Sequence, residues 1–183
     1  MKIQSLSEKT FKLVGKNAQG IINPKDISQT QDLDFTLISQ FGSSDKSQSK
    51  KTFALPGEFE ISGVLIKSFV SDSNQNNIFK VAMDDVVCAH LGTFREEITP
   101  EKAEQLGENI DVAFINVAAD FGYKKILNLL DKIEPRAVIF YGDRALFPEL
   151  KSKFAISFLE ENEKDFSRNI LSEEKTDYYI FSN

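Results

Sequence analysis

Histidine and cysteine are almost missing from these 183 residues: there is one of each, His90 and Cys88, and no tryptophan at all. A single cysteine closes no internal disulfide, and one imidazole with one thiol cannot supply the several nitrogen and sulfur ligands from which zinc centres are built. Long apolar runs are lacking too. None approaches the roughly 18 to 20 residues that span a bilayer, and the start, Met1-Lys2-Ile3-Gln4-Ser5, alternates where a signal peptide would be continuously apolar. Cationic side chains are outnumbered, 22 Lys and Arg against 28 Asp and Glu, so the net charge of -6 repels a phosphate backbone. The one basic cluster, Lys46, Lys50 and Lys51, sits in a Ser-rich stretch and reads as solvated loop. These features lead us to expect a soluble protein of a reducing, cytoplasmic compartment, without membrane attachment and without nucleic acid as its natural ligand.

What is present is an ordinary globular balance, 41% hydrophobic and 27% charged, in a length that suits one domain over residues 1–183. The 16 phenylalanines are the unusual component, and Phe11, Phe35, Phe53 and Phe59 fall within strand-like segments where they read as packing. Strand signals cover residues 2–6, 10–14, 19–22, 34–39, 52–55, 58–61, 64–70, 78–83 and 86–91. The first three suggest a meander, and Ser62-Gly63 and Asp84-Asp85 suggest tight hairpin turns. Residues 41–51 read as a loop. From Thr99-Pro100, an N-cap followed by proline at the first helical position, the period changes. A strand at 112–117, a helix at 123–133 and a strand at 137–141 form one unit; a helix at 146–154 and strands at 156–159 and 176–181 follow.

Several segments, in order, resemble a known family. Leu55-Pro56-Gly57-Glu58-Phe59-Glu60-Ile61-Ser62-Gly63-Val64 is similar to a Gly-Pro-Gly-Glu-Tyr-Glu-x-x-Gly-Val hairpin. Cys88-Ala89-His90-Leu91-Gly92-Thr93 is similar to a Cys-His-Leu-Gly-Asp strand end, and 111–117 to a strand leading into a glycine-rich loop. Glu134-Pro135-Arg136-Ala137-Val138-Ile139 is similar to Glu-Pro-Lys-x-Val-Ile. The family is the metallo-β-lactamase superfamily, in its branch of small bacterial zinc-dependent hydrolases related to the ascorbate-phosphate lactonases. The resemblance implies an α/β fold, an αββα sandwich of two mixed β-sheets flanked by helices, and a binuclear metal site carried by a His-x-His-x-Asp-His motif.

That motif is absent here. After the strand Asp34-Phe35-Thr36-Leu37-Ile38-Ser39, its positions hold Gln40, Phe41, Gly42, Ser43, Ser44 and Asp45. The bridging aspartate corresponds to Thr93, and the last histidine falls near Gly142. By this alignment Gln40, Gly42, Ser44, Asp45, Thr93 and Gly142 occupy ligand positions, no metal or other cofactor is expected, and no residue is assigned a catalytic role. Asp45, Asp120 and Asp143 fall in loops at the expected site edge and are oxygen ligands of the type magnesium or calcium takes, although acidic loop residues are more commonly solvated. Cys88 and His90, two apart on a strand, point to one face. An apolar run raises a thiol pKa, so core packing is favoured for Cys88 and a packed, hydrogen-bonded role for His90. Neither Gly57 nor Gly63 belongs to a phosphate-binding loop.

Three functions remain open. One is a non-catalytic descendant that acts through its surface, by a protein partner or by self-association, with Phe41 in loop 41–51 as a candidate anchor. Another is a hydrolase rebuilt around Asp45, His90 and Asp143. The third is an accessory subunit in nucleic-acid processing, which the acidic charge disfavours.

Overall fold

A computed structural model describes residues 1–40, 48–71 and 76–182. Two β-sheets pack face to face. The first has the order β13-β1-β2-β3-β4-β5, built from β1 (Lys2–Ser7), β2 (Thr10–Val14), β3 (Gln19–Ile22), β4 (Phe35–Leu37), β5 (Lys51–Phe53) and β13 (Glu163–Asp165). The second has the order β12-β14-β11-β10-β9-β8-β7-β6, from β6 (Gly57–Ile61), β7 (Val64–Val70), β8 (Asn77–Met83), β9 (Val86–His90), β10 (Val112–Val117), β11 (Ala137–Gly142), β12 (Ile156–Leu159) and β14 (Asp177–Phe181). Both are mixed. In the second, β6 to β9 form an antiparallel meander and the remaining strands run parallel.

The central parallel strands β10 and β11 explain their continuous apolar runs, because both are covered on both faces. All six residues of β10 are buried: Val112 and Phe114 meet Phe11, Leu13 and Phe35 between the sheets, while Ala113, Ile115 and Val117 meet the helices. Three helices lie on that outer face, α1 (Pro100–Leu106), α2 (Tyr123–Ile133) and α3 (Phe147–Lys151). α1 starts where the hydroxyl of Thr99 accepts from the Lys102 amide and ends at Gly107, whose φ of 66° suits a residue without a Cβ. α2 buries Ile126, Leu129, Leu130 and Ile133 and stops at Glu134, just before Pro135. The sandwich therefore has the expected layers. Over the first sheet, the outer layer among the described residues is a single 3-10 turn, Ile27–Thr30, packed on β3.

Both hairpin turns form as read, with positive φ at Ser62, Gly63, Asp84 and Asp85. Three segments differ from the sequence reading. The acidic stretch that begins at Glu160 contains the edge strand β13, held by Lys2 and Gln4, whose side chains donate to Glu163 at 2.6 and 2.7 Å. The 3-10 turn depends on the capping box of Asp26 and Gln29 rather than on any apolar period. The helix read at 146–154 is regular only over Phe147–Lys151, about one and a half turns, and hydrogen-bonded turns carry the chain on to Phe154 before β12. Lys50 is also not merely solvated, because its ammonium lies 2.6 Å from Asp34 and holds that carboxyl below its usual range. Phe41 and Lys46 lie outside the described residues.

Gly20 makes the tightest approach in the first sheet. It pairs with Phe35, and a Cβ at Gly20 would sit 2.1 Å from the Phe35 ring, which is fully buried. Gly20→Ala should therefore lower stability by about 1–3 kcal/mol through overpacking. Urea unfolding followed by circular dichroism measures this, and an unchanged midpoint would contradict the packing described.

Candidate functional site

The strand ends that the resemblance marks as the site converge at one edge of the sandwich. There a cleft of about 770 Å³ is lined by residues 7–10, 23–25 and 38–40 and by Thr93. Gln40 is exposed and bridges to Asn76 across the backbone. Asn76 turns its side chain to the loop after β9, donating to the Leu91 carbonyl at 2.9 Å and accepting from the Thr93 amide at 2.9 Å. Neighbouring Asn77 donates to the carbonyls of Ile38 (3.0 Å) and Ala54 (2.7 Å). The Asn77 amide thus ties β8 to the ends of β4 and β5 in the other sheet, while the Asn76 amide braces the loop after β9.

Behind the cleft lies His90, 1% exposed and packed among aromatic rings, with Tyr141 stacked at 5.6 Å and Phe114 at 5.7 Å. Its hydrogen bonds fix its protonation. The Gly92 amide donates to Nδ1 at 3.3 Å, so Nδ1 carries a lone pair and the proton resides on Nε2. Ser39 Oγ, 3.1 Å from Nδ1, then donates to it and accepts from Asn23 Nδ2 at 3.2 Å. On the other side Nε2 donates to the Tyr141 hydroxyl at 3.1 Å, and that hydroxyl donates to the Gly92 carbonyl at 2.9 Å. Asn23 is held in turn, its Oδ1 accepting from the Ser39 amide at 2.8 Å and its carbonyl accepting from Thr10 at 2.7 Å. The imidazole N–H and the Ser39, Tyr141 and Thr10 hydroxyls of this series each have an acceptor. Burial lowers the His90 pKa from its ordinary 6.5 to about 3 and raises that of Tyr141, so both rings are neutral near pH 7.

The other sequence candidates do not join this group. Cys88 lies on the same strand, buried between the sheets, and desolvation pushes its thiol well above the usual range. Asp120 is exposed and 3.0 Å from Arg95. Asp143 is exposed and caps the short turn Arg144–Leu146, accepting from the Ala145 amide at 3.0 Å. Gly42, Ser44 and Asp45 lie outside the described residues. Among the described residues, no three His, Cys, Asp or Glu side chains come together as an ion would require.

Gly142, at the last-ligand position, ends β11 with a φ of 108°, and a Cβ there would meet the Val117 carbonyl oxygen at 2.6 Å. The position is closed to any side chain unless the backbone moves. Beside it the sequence reading missed Arg95, two residues after Thr93. Its guanidinium donates to the carbonyls of Phe94 (2.6 Å) and Asn116 (3.2 Å) and to the Asn116 side chain, and lies over the Phe121 ring. A fixed cation thus stands where strand ends present their carbonyls. The sequence carries no signal for this cluster, because Asn23, Ser39, Tyr141 and Arg95 come together only through the strand order. The donor set does not fit a binuclear zinc centre.

A family model described as a beta-lactamase superfamily domain matches residues 2–140. The chain belongs to the metallo-β-lactamase superfamily. Solved structures agree on the fold. A protein from Thermotoga maritima, provisionally named a zinc-dependent hydrolase of the metallo-β-lactamase superfamily, is 19% identical, with 99% of each chain covered and a TM-score of 0.79. One from Parabacteroides distasonis, provisionally named a metal-dependent hydrolase, is 16% identical, covering 97% of this chain and 91% of that one at a TM-score of 0.63. The metallo-β-lactamase fold protein YhfI from Bacillus subtilis is 6% identical, covering 98% and 95% at 0.65. No curated protein sequence matches significantly. No helix among the described residues is long and apolar enough to cross a membrane.

The buried neutral histidine has a pH signature. Unfolding frees His90 to protonate near pH 6.5, whereas the folded chain resists protonation down to about pH 3. The unfolded state therefore binds the extra proton, and stability is full above pH 6.5 and is lost as pH falls toward 3. Between pH 6 and 4.5 the expected slope is up to about 1.4 kcal/mol per pH unit. Denaturant titrations of wild type and His90→Gln should show the slope in the first and a flatter dependence in the second. Equal slopes would mean that His90 titrates alike in both states.

Proposed function

We propose that this chain is a non-catalytic member of the superfamily, which has kept the fold and given up the metal site, and which acts by binding a protein partner or a second copy of itself. The observation that carries this reading is the employment of His90, the single imidazole in the chain, whose two ring nitrogens are both engaged inside the protein. Gly142 supports it sterically, since a ligand side chain there meets the Val117 carbonyl. Thr93 supports it chemically, as a neutral hydroxyl stands where the resemblance puts a bridging carboxylate. The net charge of -6 favours a protein partner over nucleic acid. A cytoplasmic location fits the one buried, unpaired thiol.

Metal content tests the reading directly. Elemental analysis of purified protein after incubation with excess zinc, manganese or magnesium and gel filtration should find well under one ion per chain, and thermal unfolding with and without each ion should give the same midpoint. A stoichiometric ion with a raised midpoint would contradict the proposal.

A further inference from the structure

The eight-stranded sheet ends on β12, and among the described residues nothing pairs with its outer side. The orientation of its backbone follows from one contact. The Ser182 amide donates to the Leu159 carbonyl at 3.0 Å, so Leu159, and by alternation Ser157, face β14, while the N–H and C=O groups of Phe158 and the C=O of Ile156 face outward. Such an edge is a template for another strand. Phe158 is 44% exposed beside an apolar groove of about 510 Å³ formed with Phe147, Pro148, Ile180 and Phe181. The flanks are charged in opposite senses: Lys151 and Lys153 precede the strand, and Glu160 and Glu161 follow it, all exposed.

We propose that β12 pairs antiparallel with β12 of a second copy of this chain, extending the sheet across a two-fold axis at Ser157. A two-fold arrangement requires a self-complementary surface, and this edge meets that requirement in two independent ways. The residues Ile156 and Phe158 fall opposite each other, so the Phe158 N–H of each copy donates to the Ile156 carbonyl of the other, the Ile156 N–H being held by the Phe154 carbonyl, while an apolar side chain meets an apolar side chain. The basic flank of each copy also meets the acidic flank of the other. Two other open edges fail the same comparison. Pairing β6 with its copy sets Glu58 against Glu60, and pairing β13 with its copy about Lys164 sets Glu163 against Asp165. Like charges opposite one another disfavour both.

The dimer is separable from the question of catalysis, because a chain that bound metal could dimerise and one that bound none could remain single. Sedimentation equilibrium of the full chain should show a reversible monomer–dimer equilibrium. Phe158→Ser, the double variant Lys151→Glu with Lys153→Glu, and the double variant Glu160→Lys with Glu161→Lys should each weaken it at least about tenfold. An equimolar mixture of the two double variants should recover the dimer, since the basic flanks of one then meet acidic flanks of the other, which also shows that both are folded. A wild-type chain that sediments as a monomer throughout, a dimer indifferent to these changes, or a mixture that stays monomeric would overturn the proposal.

Discussion

The hydrogen-bonded chain from Asn23 through Ser39, His90 and Tyr141 to the Gly92 carbonyl is the contact on which the site end of this sandwich depends. It runs from the first sheet, where Asn23 follows β3 and Ser39 follows β4, into the second, where His90 ends β9 and Tyr141 lies on β11. Each net hydrogen bond contributes only about 0.5–1.5 kcal/mol, but a buried donor left without its acceptor costs about 1–3 kcal/mol. The members therefore hold one another, and Phe11, Phe114 and Tyr141 pack around the imidazole at the buried end of the series. Burial keeps the imidazole neutral, and neutrality gives it one donor and one acceptor face, which is what a chain of this direction needs.

This arrangement competes with metal binding for the same atoms. An imidazole ligand offers a lone pair from one nitrogen and commonly a supporting N–H from the other. In His90 the lone pair of Nδ1 already faces the Ser39 hydroxyl and the Gly92 amide, and the Nε2 proton is directed to Tyr141. Around it, amides, hydroxyls and one guanidinium occupy the strand ends. These groups satisfy backbone carbonyls and amides directly, as Asn76, Asn77 and Arg95 do. Among the described residues, this edge of the sandwich is held by hydrogen bonds of amides, hydroxyls and the Arg95 guanidinium.

Much of the fold was legible because apolar periodicity and turn chemistry act locally. The strands at 10–14, 19–22, 64–70, 112–117 and 156–159 and the helix at 123–133 emerge with the bounds read from the sequence, and Thr99-Pro100 starts α1 as a cap and proline should. What failed to show was whatever depends on a distant partner. β13 is three polar residues, Glu163, Lys164 and Asp165, and becomes a strand only because β1 offers its edge and Lys2 its charge. The same reason hid the site. Asn23, Ser39, Arg95 and Tyr141 are ordinary polar residues in sequence, and their meaning comes from a strand order that sets β4, β9 and β11 side by side at one end. The resemblance pointed to that end, and the single histidine bounded the nitrogen ligands the chain could offer there.

The most direct test of this account is the nitrogen spectrum of the His90 imidazole, recorded by long-range proton–nitrogen correlation across a pH series. With one histidine in the chain the signals need no assignment. The account predicts a neutral ring with its proton on Nε2 and an unprotonated Nδ1, unchanged from neutral pH down to the onset of unfolding and indifferent to added zinc. A ring that titrates near its ordinary pKa, carries its proton on Nδ1, or shifts on addition of zinc would contradict it, and would return His90 to the list of groups free to take part in chemistry.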